Sequence, residues 1–132
     1  MLTKAPQPRL LALSNYLRAR EFATPSSSGS VEVSTPNIGI LILPDGKQPG
    51  MLEDLFLAAL QGDLLSKCID QYFECVDTAT TNSMKPLSKA RIHAWLSAQD
   101  PPDMRLGFAA QKGLFDWDDP AFAPLKDFLT LL

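Results

Sequence analysis

Residues Ile38–Leu43 read IGILIL, a run without one polar side chain that stops at Pro44-Asp45-Gly46. Gly39 and the β-branched isoleucines disfavour a helix there. A short apolar run closed by a turn signature predicts a strand covered on both faces, as in a parallel or mixed sheet. In α/β folds, polar chemistry collects beyond the carboxyl end of such a strand. Here the next stretch, Pro44–Leu55 (PDGKQPGMLEDL), sets three carboxylates, Asp45, Glu53 and Asp54, around a Pro/Gly turn that enters a helix.

The rest of the chain reads mostly as helices. Leu10, Leu13 and Leu17 recur at helical spacing between Pro8 and Arg20. Residues 23–30, ATPSSSGS, predict a mobile loop, and Val31–Val33 a short edge strand before Pro36. A helix is expected from Met51 to Gln61, with Pro49 near its first turn and Gly62 breaking it. Asp63 is placed to cap the next helix, whose stripe of Leu64, Leu65, Cys68, Ile69, Tyr72, Phe73 and Val76 is the strongest periodic signal. Asp77–Ser83 reads as a polar loop. Ser88 is the expected N-cap of a helix reaching Ala98, with Ile92, Trp95, Leu96 and Gln99 on one face. A short helix from Met104 to Lys112 ends at Gly113, and Pro120–Leu132 repeats the amphipathic pattern. The expected class is α/β: one central parallel-type strand and few others, covered by several helices. So few strands cannot make a complete doubly wound sheet, which points to a partial α/β domain with a missing half.

A chain of 132 residues suits one domain. Its net charge of −3 and pI near 5.0 give no global attraction to phosphate backbones, so nucleic-acid contact would need a local basic patch or a bridging metal. No apolar run approaches the roughly 18 residues that span a bilayer. The first twenty residues, broken by Ser14 and Asn15, do not read as a signal peptide. Cys68 and Cys75 lie about 10 Å apart on one predicted helix, beyond disulfide reach, and read as small buried hydrophobes. The cytoplasm is the expected compartment.

Two separated motifs carry a resemblance. Ile40–Leu43 with Pro44–Asp54 (ILIL-PDGKQPGMLED), then Lys89–Leu96 (KARIHAWL) and Pro101–Gly107 (PPDMRLG), are similar to an uncharacterised prokaryotic family of Toprim-like proteins. That family carries an apolar strand, a PD-N-x-x-PG-x-LED turn, a K-A-x-[IL]-H-x-[WY]-L helix and a P-x-x-x-L-G turn. The likeness runs from about Pro8 to Leu132. Gly46 stands where many members carry Asn, a conservative exchange because both residues tolerate left-handed turns. The resemblance implies a longer amino end, where a Glu and an Asp-x-Asp hold divalent metal. The wider Toprim group includes topoisomerases, primases and the overcoming-lysogenization-defect nucleases. Asp116-Trp117-Asp118 matches those letters but lies in the C-terminal tail. The chain is therefore expected to correspond to the family's C-terminal portion, through a gene fragment, a shortened variant or a misassigned start.

Each candidate residue has two readings. Asp45, Glu53 and Asp54 suit a hard cation such as Mg2+ or Mn2+, with Asp45 and Glu53 converging across the turn. The same acids also complement a helix start by about 0.3–1 kcal/mol, and Asp-Gly is ordinary turn chemistry. Lys47 is a phosphate contact or a solvated lysine. Lys85, Lys89 and Arg91, with Ser88, form an anion-binding corner or a solvated helix start. His93, the single histidine, is a hydrogen-bonded structural residue or, through its place in the family motif, a catalytic candidate beside Asp45 and Glu53. It has no nucleophile elbow, and Cys68, Cys75 and His93 lack zinc spacing. Trp95 and Trp117 read as core or helix-docking residues.

Three functions follow in order. The first is a Toprim-related protein without the principal metal motif, not catalytic alone, which the resemblance links to nucleic-acid processing or mobile-element defence. The second is a binding or assembly module that pairs an exposed sheet edge with another copy or a partner chain. The third is a metal-dependent phosphoesterase or nuclease using the three acids.

Overall fold

The computed structural model of the chain describes residues 6–81 and 85–132. In order, the elements are α1 (Pro6–Arg18), β1 (Ser30–Glu32), β2 (Ile38–Ile40), α2 (Leu52–Ala59), α3 (Leu65–Ala79), α4 (Leu87–Ser97), α5 (Leu106–Gln111), a 3-10 turn (Pro120–Phe122) and α6 (Ala123–Leu129). The fold is mixed α/β with helices dominant, and no described helix is long and apolar enough to cross a membrane.

The apolar run does form a strand, but β2 pairs antiparallel with β1, not parallel. Ser30 faces Ile40, Val31 faces Gly39 and Glu32 faces Ile38. The reason is the connection: residues 33–37 are too few for a parallel crossover, which takes a dozen or more. Cover on both faces comes instead from helices. Ile40 and Ile42 pack on Leu10 of α1, with Leu17 beside them. At Gly39 a Cβ would lie 2.8 Å from the Phe128 ring and 3.0 Å from Leu132, so that position is closed by the C-terminal segment. The ladder ends at Ile40. Beyond it, the Ile42 N–H donates to Ser28 Oγ at 2.8 Å, and the Ile42 carbonyl accepts from Gly46 N at 2.7 Å.

Because α1 covers so small a sheet, only a narrow strip of it is buried. Leu10 and Ser14 are buried and Leu17 is half-buried, whereas Leu13, expected on this face, points outward. The larger core joins Leu55, Phe56 and Leu60 to Ile69 and Phe73 of α3, to Ile92, Trp95 and Leu96 of α4, and to Met104, Ala109, Phe115 and Phe122. Phe56 sits at its aromatic centre, meeting Phe115 at 4.6 Å and Phe122 at 5.4 Å between ring centroids. Both pairs are edge-on, the arrangement that ring quadrupoles favour. Trp95 is buried against Phe115, and the partly exposed Trp117 docks on Phe122 at 4.7 Å.

The strong stripe of α3 divides. Ile69 and Phe73 enter the core, whereas Leu64, Cys68 and Tyr72 are exposed. Cys68 and Cys75 are therefore exposed free thiols, not buried hydrophobes. Periodicity located the apolar face, but α3 is covered along one flank of it. The helix also runs on to Ala79, through the first part of the expected polar loop, and Ser83 lies outside the described residues. Asp63 does act at the start of α3: its Oδ1 accepts from Leu65 N at 2.8 Å.

Candidate functional site

The acidic turn is held by its own side chains. Asp45 Oδ1 accepts hydrogen bonds from Lys47 N at 2.9 Å and Gln48 N at 2.8 Å. These two N–H groups hold its carboxyl below the ordinary aspartate value, with the Lys47 charge adding to the effect. Gly46 sits at φ +80, the left-handed geometry that an Asp-Gly turn calls for. Gly50 closes the turn: a Cβ there would lie 2.7 Å from Pro44 Cδ and 2.9 Å from Asp54 Oδ2. From α1, the Arg9 guanidinium donates to the Gly50 carbonyl at 3.2 Å.

Asp54 is engaged in two directions. It is the third residue of α2, and its Oδ2 accepts from Met51 N at 2.8 Å, the backward half of a capping box. Its Oδ1 accepts from the Ser88 hydroxyl in the first turn of α4. Ser88 is thus not the expected N-cap, since α4 starts at Leu87 behind Pro86. It ties two helices together instead. No group of three or more His, Cys, Asp or Glu among the described residues is placed to hold a metal ion. The oxygens of Asp45 and Asp54 aim at N–H and O–H donors, so this donor set does not fit a three-carboxylate cation site.

The basic candidates disperse as well. Arg91 pairs with Asp70 of α3 and lies 5.6 Å from the Phe73 ring centroid. Lys47, Lys85 and Lys89 are exposed. Arg91 faces α3 and Ser88 faces Asp54, so the anticipated anion corner is not assembled around them. Asp116-Trp117-Asp118 forms a turn before the 3-10 segment: Asp116 Oδ1 accepts from Asp118 N at 3.0 Å, and Asp118 pairs with Lys126 at 2.9 Å.

What the structure does gather is Glu53 with His93. Both line a cavity of about 400 Å³, together with Asp103 and Arg105, over a floor that includes Ile92, Leu96 and Met104. Glu53, His93, Asp103 and Arg105 form no side-chain hydrogen bond or ion pair among the described residues. His93 is exposed and, among the described residues, makes none of the hydrogen bonds expected of a structural histidine. Asp103 and Arg105 were not singled out from the sequence. Their signal was the Asp-Met-Arg alternation, which buries Met104 and turns its neighbours outward. A separate cavity of about 380 Å³ is lined by Asp54, Gln61, Ser66, Asp70, Arg91 and Trp95. The sequence motifs containing Glu53, His93 and Arg105 therefore meet at one concave surface, with Asp45 and Asp54 outside it.

The model of a family described as a protein of unknown function (DUF3226) matches residues 4–132. No curated protein and no solved structure matches the chain.

Proposed function

The chain belongs to that family, and from this premise we propose that it is a non-catalytic binding module. Its acidic turn fastens the fold rather than cradling a cation. The observation that carries this reading is the engagement of Asp54 on both oxygens, by Met51 N and by Ser88 Oγ. The Asx turn of Asp45 supports it. A Toprim-related ancestry and a link to nucleic-acid processing or mobile-element defence are proposals resting on the motif resemblance alone, and a cytoplasmic setting is a proposal resting on two cysteines that form no disulfide.

The mode of binding we favour is assembly through the small sheet. β1 has a partner on one side, and Val33 beyond it is 85% exposed. Such an edge accepts another strand. Light scattering over a concentration series is expected to show a mass above that of one chain, whereas a strict monomer rejects this mode. The active alternative, a Mg2+- or Mn2+-dependent phosphoesterase, has a separate test. Purified protein is expected to leave DNA and RNA intact with millimolar Mg2+ or Mn2+. Cleavage abolished by EDTA and by Asp45→Asn with Glu53→Gln would replace the binding-module reading with that enzyme.

A further inference from the structure

We propose that the cavity beneath Glu53 and His93 binds a small organic monocation with an apolar body, an amine or guanidine carried on a short aryl or alkyl skeleton. Several charged side chains around the cavity at Asp54 and Arg91 and in the turns already have partners: Asp45, Asp54, Asp70 and Arg91 are held by neighbours. Around this cavity none of the four titratable side chains has one among the described residues. They rise from three separate segments: α2 gives Glu53, α4 gives His93, and the turn before α5 gives Asp103 and Arg105. Beneath them Ile92, Leu96 and Met104 are buried and apolar. A concave apolar floor with a few polar groups at its rim is the usual form of a small-molecule site, and about 400 Å³ falls near the lower end of the usual size.

Charge selects the ligand. Glu53 and Asp103 contribute −2 and Arg105 +1, a net −1 from these three side chains. An ammonium or guanidinium group gains charge-assisted hydrogen bonds from the carboxylates, while the apolar body covers the floor. An anion of the same shape meets two carboxylates at the rim. A neutral analogue keeps only the apolar contribution. Of the three turn acids this site includes only Glu53, and Asp103 and Arg105 have no part in the bonds that engage Asp45 and Asp54, so the Arg105→Gln result separates this site from the reading of those acids.

Three probes of one skeleton test it on the full chain: 2-phenylethylammonium, 2-phenylethanol and 3-phenylpropanoate, titrated by NMR at low salt. The cation is expected to bind about tenfold more tightly than the alcohol, with the anion weakest. Glu53→Gln with Asp103→Asn leaves Arg105 as a net +1 and should bring the cation to or below the alcohol's affinity, and Arg105→Gln should strengthen it. General damage to the fold does not produce that opposite pair of effects. Glu74→Gln, a substitution on α3 away from the cavity, should change nothing. The proposal is overturned if no probe binds at millimolar concentration, if the anion or alcohol matches the cation, or if the preference survives in the double variant. Should that variant melt early, the ranking on the unaltered chain and the Arg105→Gln result decide.

Discussion

Gly50 has no side chain because the turn leaves no room for one. Its missing Cβ would press on the Pro44 ring at 2.7 Å and on the Asp54 carboxylate at 2.9 Å. Gly50→Ala is expected to lower the unfolding free energy by about 1–3 kcal/mol in urea titrations. Gly62→Ala, with nothing within 4 Å of the new methyl, should leave stability unchanged or slightly raised. Asp45 adds a pH signature. Its folded carboxyl lies below the ordinary value, so the unfolded chain binds the proton more readily. The stability it contributes is full above the ordinary aspartate pKa and fades as pH falls through the folded value. Asp45→Asn keeps an acceptor oxygen but removes the charge, so its stability curve should be flatter below about pH 4 than that of the parent. At this scale the sequence was half legible. Asp-Gly announced the turn and an acid announced the start of α2. Nothing local announced that Asp54 would also receive a hydroxyl from Ser88, 34 residues away.

Among elements, partners decided what periodicity left open. The IGILIL run required cover on both faces, and α1 and the C-terminal segment supply it, but run composition carries no strand direction. Direction was readable elsewhere, in a connection too short for a crossover. On α3 the stripe of apolar residues is wider than the strip that α4 and the core cover. Phe73→Ala should cost about 3–5 kcal/mol, whereas Leu64→Ala, at a residue 91% exposed, should stay within about 0.5 kcal/mol. Equal effects at the two sites would mean that another surface covers α3 in solution. The Glu53–His93 cavity was partly legible. Both residues stood out in separate motifs, but their approach depends on α2 packing against α4. Asp103 and Arg105 carried too ordinary a pattern to be found without that packing.

For the whole molecule, the larger core and the small Leu10–Ile40–Ile42 cluster flank the acidic turn, with Arg9 reaching from α1 to Gly50 and Ser88 reaching from α4 to Asp54. The turn is thus a junction between α1, α2 and α4, and Asp45 and Asp54 stabilise the fold through hydrogen bonds. Acids assembled to hold a cation do the reverse when metal is absent, because like charges brought together repel. The sign of a single substitution therefore separates the two roles. The unfolding free energy of Asp54→Asn should be measured against the parent chain, in metal-free buffer and again with millimolar Mg2+. The expected result is a loss of about 1–3 kcal/mol, equal in both buffers, with no stabilisation of the parent by Mg2+. A variant as stable as the parent without metal, or more stable, together with a parent that Mg2+ stabilises, would contradict the account.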